Sequence, residues 1–226
     1  MAIIISIFSL FFPAKTEHPD KTQWNTNYPY VFVHGLMGWG EYDAHYKIFP
    51  YWGMFGGELL SEIEENGYDC YGASVSGTAS AWDRACELYA QLAGTRVDYG
   101  EAHSKEHNHN RYGRTYTEPL IANWGMKMNG GQTVKINLVG HSFGGATVRL
   151  LTSLLEYGDE AEIAASGENV SPLFAGGKGD WVFSVTALCA PHNGSSLTEI
   201  LNGSDSLLSS IGKSESGNSL LKSVLS

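Results

Sequence analysis

Four short apolar segments stand out along the chain, each bounded by polar residues or glycine. They occupy residues 30–33, 68–75, 134–139 and 182–188. Runs of this length, rich in β-branched and aromatic side chains, are typical of strands in the interior of a domain. The pattern therefore predicts four strands of a buried sheet.

Three segments between these strands carry apolar side chains at the spacing of amphipathic helices. They are residues 58–65, 81–92 and 144–155. The first ends at Asn66 and Gly67, a typical C-terminal signal, and Ser80 is a candidate N-cap for the second. Strands that alternate with helices predict an α/β fold, with a mostly parallel sheet and helices on both faces.

One stretch, at about residues 93–117, breaks this alternation. It contains three glycines, four Arg or Lys residues and three histidines within seven positions. Simple crossover packing between a strand and a helix does not need such a composition. We therefore expect an insertion there.

The composition narrows the class of protein. Twenty-four acidic residues against 14 basic ones give a net charge of −10, which argues against a nucleic-acid partner. Hydrophobic residues make up 42% of the 226 positions, enough for a real core, so intrinsic disorder is also excluded. The three cysteines, Cys70, Cys86 and Cys189, are too few for a disulfide framework. We expect three buried free thiols, with one bridge as the alternative.

The amino terminus contains a ten-residue apolar run at residues 3–12. This is about half the length that a transmembrane helix needs, so no membrane span is expected. The length suits the centre of a secretory signal, although no Lys or Arg precedes it and no small-residue cleavage site follows. A buried strand and a misassigned start of the reading frame are the alternatives. Residues 1–27 are interpreted as a leader or tail, and the domain as residues 28–226.

The strongest chemical motif is Gly-His-Ser-Phe-Gly, at residues 140–144. It lies directly between the third predicted strand and a predicted helix, the context of a nucleophile elbow. The flanking glycines remove the Cβ atoms that would collide in so sharp a turn. Ser142 is therefore the candidate nucleophile.

A nucleophilic serine also needs two N–H donors for the oxyanion that forms when it attacks. The backbone N–H of Phe143 is one candidate, because it begins the helix. The other is Leu36, which follows His34 and Gly35 at the end of the first strand.

At this point the sequence resembles the bacterial family I.5 lipases, which are the thermoalkalophilic lipases of bacilli and their staphylococcal relatives. The resemblance covers about residues 28–197, and its most specific stretch is residues 82–92. Further matches include residues 97–100, 102–103, 107–109, 113–116 and 190–192. It implies an α/β-hydrolase fold and a secreted triacylglycerol lipase that acts on acylglycerol or other lipid esters at a lipid–water interface. Four positions depart from the family pattern: Gly140 stands in place of Ala, Phe143 in place of Gln, Leu36 in place of Phe and Asn193 in place of Asp.

The resemblance also implies a structural zinc ion held by two Asp and two His. Asp83, His103 and His109 match three of these ligands, and the fourth is expected beyond this sequence. Carboxylate and imidazole suit Zn²⁺, and a closed site can stabilise an insertion that has no core of its own. His107 is an alternative ligand, and an ion pair of Asp83 with Arg84 or Arg114 is the structural alternative.

The acid and base of a catalytic triad are not found. In this fold they follow the serine in the order acid, then His, but His192 is the only histidine after Ser142 and matches a family position with another role. We therefore expect that the triad partners and the family's calcium site lie beyond Ser226, with residues 198–226 beginning the lid. The 226-residue chain should then hydrolyse esters barely or not at all, and an unfinished sheet edge should reduce its solubility.

Two other interpretations stay open. One is a phospholipase or short-chain carboxylesterase, which uses the same serine chemistry. The other is a non-catalytic, truncated remnant that folds and binds zinc.

Overall fold

The computed structural model describes residues 28–44, 46–53 and 56–195. The apolar run at residues 3–12 and the expected lid region at residues 198–226 lie outside the described residues.

Four parallel strands form the central sheet. In spatial order they are β2 (Cys70–Ala73), β1 (Tyr30–Val33), β5 (Ile136–His141) and β6 (Val182–Leu188). The register places Val33 beside Ala73 on one side and Gly140 on the other. The carboxyl ends of β1 and β5 are therefore neighbours, and the loops that follow them meet.

The helices cover both faces of this sheet. They are α1 (Leu59–Glu65), α2 (Ala81–Ala93), α3 (Glu101–Glu106), α4 (Phe143–Tyr157) and α5 (Glu160–Ser166). Short 3₁₀ turns lie at Gly167–Asn169 and Gly179–Trp181. Among the helices that the structure describes, none is long and apolar enough to cross a bilayer.

The core has two parts, one on each side of the sheet. Val31 and Val33 point to the larger cluster, which α2 and α4 complete with Leu88 and Leu151. Phe32, between them in β1, points to a smaller cluster with Leu60 of α1. Because successive side chains of a strand alternate between faces, β1 must be apolar throughout. The prediction of an α/β fold with a mostly parallel sheet is confirmed.

The insertion folds as a small unit of its own. It consists of the antiparallel strands β3 (Arg96–Asp98) and β4 (Tyr112–Thr115), with α3 between them. The Arg111 guanidinium donates to both oxygens of Asp98, at 2.8 and 2.9 Å, and so joins the chain at the points where it leaves β3 and enters β4.

Three details differ from the sequence-based expectations. The second predicted strand, expected at residues 68–75, is limited to Cys70–Ala73. The third, expected at residues 134–139, begins at Ile136 and extends through His141, because Gly140 and His141 pair with Ala187 and Leu188. All three thiols are free, but only Cys70 and Cys86 are buried, so the expectation of three buried thiols is wrong for Cys189. Cys189 is exposed because it follows β6, whose last residues no described segment covers.

Candidate active site

Ser142 occupies the turn between β5 and α4. Its backbone has φ 53° and ψ −125°, a conformation that L-residues adopt rarely and that costs about 1–3 kcal/mol. The turn is held on both sides, since the Ser142 N–H donates to the Leu188 carbonyl at 2.8 Å and the Gly145 N–H donates to the Ser142 carbonyl at 2.9 Å. The side chain is partly exposed. This is the strained, accessible position that a nucleophile needs.

Two glycines allow the backbones to cross closely at this turn. A Cβ atom on Gly140 would lie 2.4 Å from the Gly144 carbonyl oxygen. A Cβ atom on Gly144 would lie 2.1 Å from the Val33 carbonyl oxygen at the end of β1. The glycines of the motif therefore let α4 begin directly against β1 and β5.

The loop after β1 passes beside the serine. A Cβ atom on Gly35 would lie 2.8 Å from the Ser142 Cβ, which shows how near the two backbones are. Within the part of the chain that the structure describes, neither the Leu36 N–H nor the Phe143 N–H donates to a protein acceptor. Both remain free for an anionic oxygen, and the positive end of the α4 dipole lies at the same place.

Arg84, on α2, binds the loop after β1 through hydrogen bonds from its guanidinium. Its guanidinium is fully buried and donates to the carbonyl oxygens of Gly35 at 3.4 Å and Ser76 at 2.7 Å, and to that of His34. It also donates to the Thr147 hydroxyl of α4 at 3.0 Å. The Gly35 carbonyl and the Leu36 N–H belong to one planar peptide unit, so this bond also orients the candidate oxyanion donor.

Tyr51 binds the same loop through its hydroxyl group. Its hydroxyl accepts the Gly35 N–H at 3.0 Å and lies 2.6 Å from Nδ1 of His141, the residue before the serine. One side chain thus connects the two loops that carry the candidate oxyanion donors.

His34 is buried in the same region. Burial, together with the nearby positive charge of Arg84, lowers the pKa of the imidazole to about 4. Its ring nitrogens lie 2.9 Å from the Gly35 carbonyl oxygen and 3.0 Å from that of Val75. Such a ring is neutral at pH 7 and engaged with backbone groups, which suits a structural role.

A second cluster lies where the insertion meets α2. Single ligand atoms of Asp83, His103 and His109 all lie within 4.8 Å of one another. His103 Nε2 is 3.1 Å and His109 Nε2 is 3.7 Å from Asp83 Oδ1. Burial alone would raise the pKa of the Asp83 carboxyl, but hydrogen bonds from His103 and Ser80 and the charges of the two imidazoles lower it.

The alternative partners of Asp83 and the alternative ligand His107 do not belong to this group of converging atoms. Among the described residues Asp83 has no ion pair with an arginine, because Arg84 turns into the core and Arg114 lies over the ring of Tyr116. The His107 ring is 4.4 Å from that of His103, but His107 is not one of the three residues whose ligand atoms converge.

Three side chains of these sites were not predicted. Arg84, Tyr51 and Glu162 all bind backbone groups across long stretches of sequence, and Glu162 accepts the N–H groups of Ala102 and His103. A lone Arg or Glu in an amphipathic helix is usually solvated, so no local pattern marks it. The available signal for Arg84 was its place in the most specific stretch of the family resemblance, residues 82–92.

Comparison with known proteins shows to which family the chain belongs. The sequence model described as "Lipase-like, C-terminal domain" matches residues 26–212, and the chain belongs to this family. "Lipase 2" of Staphylococcus aureus is 43% identical over 179 residues, which are 78% of this chain and 25% of the relative.

Two solved structures have the same fold. Lipase 1 from Pelosinus fermentans is 46% identical, with a TM-score of 0.72 over 78% of this chain and 44% of the other. The lipase of Staphylococcus hyicus is 35% identical, with a TM-score of 0.72 over 88% of this chain and 57% of the other. The chain thus spans about a quarter of the length of the curated relative and about half of these structures.

Proposed function

We propose that the protein is a serine ester hydrolase of the triacylglycerol lipase type, with Ser142 as its nucleophile. The observation that supports this most directly is the strained turn at Ser142, near the N–H groups of Leu36 and Phe143, which have no acceptor among the described residues. Relatives named lipases at 43% identity favour the same chemistry.

In the proposed reaction the Ser142 Oγ attacks the carbonyl carbon of an ester, and the carbonyl oxygen becomes an oxyanion. The N–H groups of Leu36 and Phe143 donate to this oxygen, and each such donor typically lowers the barrier by about 3 kcal/mol. The alcohol then leaves, and water hydrolyses the acyl-serine. Among the described residues no side chain bonds the Ser142 hydroxyl, so we assign proton transfer to an acid and a base outside them.

The substrate is proposed to be an acylglycerol or other lipid ester at a lipid–water interface. Met37, directly after Leu36, exposes 70% of its surface, and Ile48 and Phe49 nearby in sequence expose 74% and 52%. Met37 follows the loop that passes beside Ser142, and Ile48 and Phe49 precede Tyr51, which contacts His141. Exposed apolar side chains at such positions suit an acyl chain. A lipase of this type acts outside the cell, so we also propose secretion.

The residues at the insertion fit a structural zinc ion. Asp83, His103 and His109 supply three nitrogen and oxygen ligands of the type that Zn²⁺ prefers, and they already converge. The ion would fasten the insertion to α2, and it takes no part in the ester chemistry. We place the fourth ligand outside the described residues.

Replacing the nucleophile tests the proposal. In the complete natural protein that contains these residues, Ser142→Ala should lower kcat/KM for p-nitrophenyl esters by about 10⁴-fold or more. Ser153→Ala, an exposed serine of the same helix, should leave it unchanged. Near-normal turnover by Ser142→Ala would contradict the proposal.

Two further assays address the rival interpretations. A preference for long-chain over butyrate esters, without hydrolysis of phosphatidylcholine, would separate a lipase from a short-chain esterase and a phospholipase. The 226-residue chain should show almost no turnover by itself, and Ser142-dependent turnover close to that of the complete protein would refute the assignment of the acid and base to other residues.

A further inference from the structure

Glu162, on α5, is a buried carboxylate whose partners are backbone amides of the insertion. Its side chain is 1% exposed. One oxygen accepts the His103 N–H at 2.7 Å and the other accepts the Ala102 N–H at 3.0 Å. These amides belong to the first turn of α3, whose N-cap, Gly100, has no side chain to satisfy them. Glu162 thus replaces a cap that the helix itself lacks.

The fit between the two segments is close. A Cβ atom on Gly100 would lie 2.3 Å from the Glu162 carboxylate. Gly100 also has φ 97°, which glycine adopts without strain. The insertion therefore carries a glycine where this carboxylate approaches.

α3 is too short to be stable without contacts to other elements. It has six residues, and isolated helices of that length are unstable in water. Its position must come from contacts with other elements, and Glu162 provides two of them, at Ala102 and at the candidate ligand His103. The His103 ring is held separately, stacked on Trp82 with centroids 5.1 Å apart.

α5 is itself anchored. The Asp159 carboxylate caps α5 by accepting the Glu162 N–H at 2.9 Å. Beyond the helix, the Arg111 guanidinium of the insertion donates to the Asn169 carbonyl at 2.9 Å. The segment after α4 is therefore fixed in position, and the insertion binds to it.

We infer that Glu162 is a positioning residue for the proposed metal site. By fixing the backbone of α3, it directs His103 towards Asp83 before any ion binds, so that ion binding does not have to order the helix. The inference rests on the proposed zinc site, and its test separates the two.

The experiment measures the zinc affinity of the complete natural protein that contains these residues, in its metal-free form, in competition with a chromogenic chelator. The test variant is Glu162→Gln, which keeps the shape but places an NH₂ group, unable to accept, against one of the amides. The matched control is Glu160→Gln, an exposed acid in the first turn of the same helix. His109→Ala removes a candidate ligand.

We expect the wild type and Glu160→Gln to bind one zinc ion with the same affinity. His109→Ala should lose this binding, and Glu162→Gln should bind roughly 10- to 100-fold more weakly, as is usual when a partner behind the ligands is removed. Equal affinity of Glu162→Gln and wild type, with His109→Ala defective, would overturn the role of Glu162 and leave the zinc site standing. No stoichiometric binding by the wild type would overturn both.

Hydrogen exchange in the metal-free protein gives a second readout. The Ala102 and His103 amides should be protected in wild type and should exchange faster in Glu162→Gln. If Glu162→Gln does not fold, Glu162→Asp takes its place, because the shorter side chain keeps the charge but cannot reach both amides. Unprotected amides in the folded wild type would contradict the inference.

Discussion

At the scale of single residues, buried polar side chains determine where the backbone near Ser142 lies. Arg84 is fully buried, and burial lowers the pKa of its guanidinium to about 10, which still leaves it charged at neutral pH. Its bonds go to carbonyl oxygens of two loops and to a hydroxyl of α4. A buried charge is tolerated only when its hydrogen bonds are satisfied. The Arg84 charge therefore needs these loop carbonyls, and the loops are positioned by their bonds to Arg84.

His34 makes the stability of the fold depend on pH. Its pKa is about 4 in the folded protein and close to 6.5 in an unfolded chain. Between these values the unfolded chain binds the extra proton and the folded protein does not. The contribution of neutral His34 is therefore complete above about pH 6.5, and up to roughly 3 kcal/mol is lost as the pH falls towards 4.

Urea unfolding between pH 7.5 and 4.5, with a chelator present, measures this effect. His34→Asn should be less stable than wild type at pH 7, but its free energy of unfolding should fall less steeply on acidification. His192→Asn changes an exposed histidine and should keep the wild-type slope. Parallel slopes for His34→Asn and wild type would show that His34 is not the titrating group.

At the scale of elements, the crossing of α4 over β1 depends on Gly144. Gly144→Ala would place a methyl group 2.1 Å from the Val33 carbonyl oxygen, and neither backbone can move without separating the helix from the sheet. We expect a loss of about 1–3 kcal/mol in the free energy of unfolding, as is usual for an overpacked core.

Gly56→Ala is the matched control for this substitution. A Cβ atom at Gly56 meets no atom of the described residues within 4 Å, and its effect on stability should stay within about 0.5 kcal/mol. Chemical denaturation of both variants provides the comparison. Equal stability of the two would mean that the helix and the sheet can separate at little cost.

The elements also show which parts of the fold a sequence can predict. β1 and β6 were predicted to the residue, because apolar runs between polar boundaries need no distant partner to be recognised. β3, α3 and α5 were not predicted as elements. β3 and α3 have three and six residues, too few for a clear period, and distant contacts such as that of Glu162 with His103 stabilise α3.

The candidate sites divide in the same way. Ser142 and Phe143 belong to a motif whose residues are adjacent in sequence, so its pattern can be recognised directly. Arg84 and Tyr51 act across 49 and 16 positions, to Gly35, and no local pattern records such a contact. A motif of adjacent residues can be recognised from the sequence, and the distant contacts that support it cannot.

At the scale of the whole molecule, the two edges of the sheet differ. β2 is protected, since the Glu41 N–H donates to the Gly72 carbonyl at 3.0 Å and the Tyr42 N–H to the Ser74 hydroxyl at 2.9 Å. β6 pairs only with β5 among the described residues. It exposes Phe183. An open edge with apolar side chains is a template for pairing with another strand.

The 226-residue chain should therefore associate through β6. Phe183, Val185 and Leu188 expose 49%, 42% and 41% of their surfaces. Light scattering during size-exclusion chromatography should show a mass that rises with protein concentration. Val185→Lys should shift the population towards monomer, because a charge on the strand opposes edge pairing. Tyr157→Lys alters a side chain that is 81% exposed on α4, and it should not change the association. A wild-type chain that stays monomeric at every concentration would mean that residues outside the described ones cover this edge.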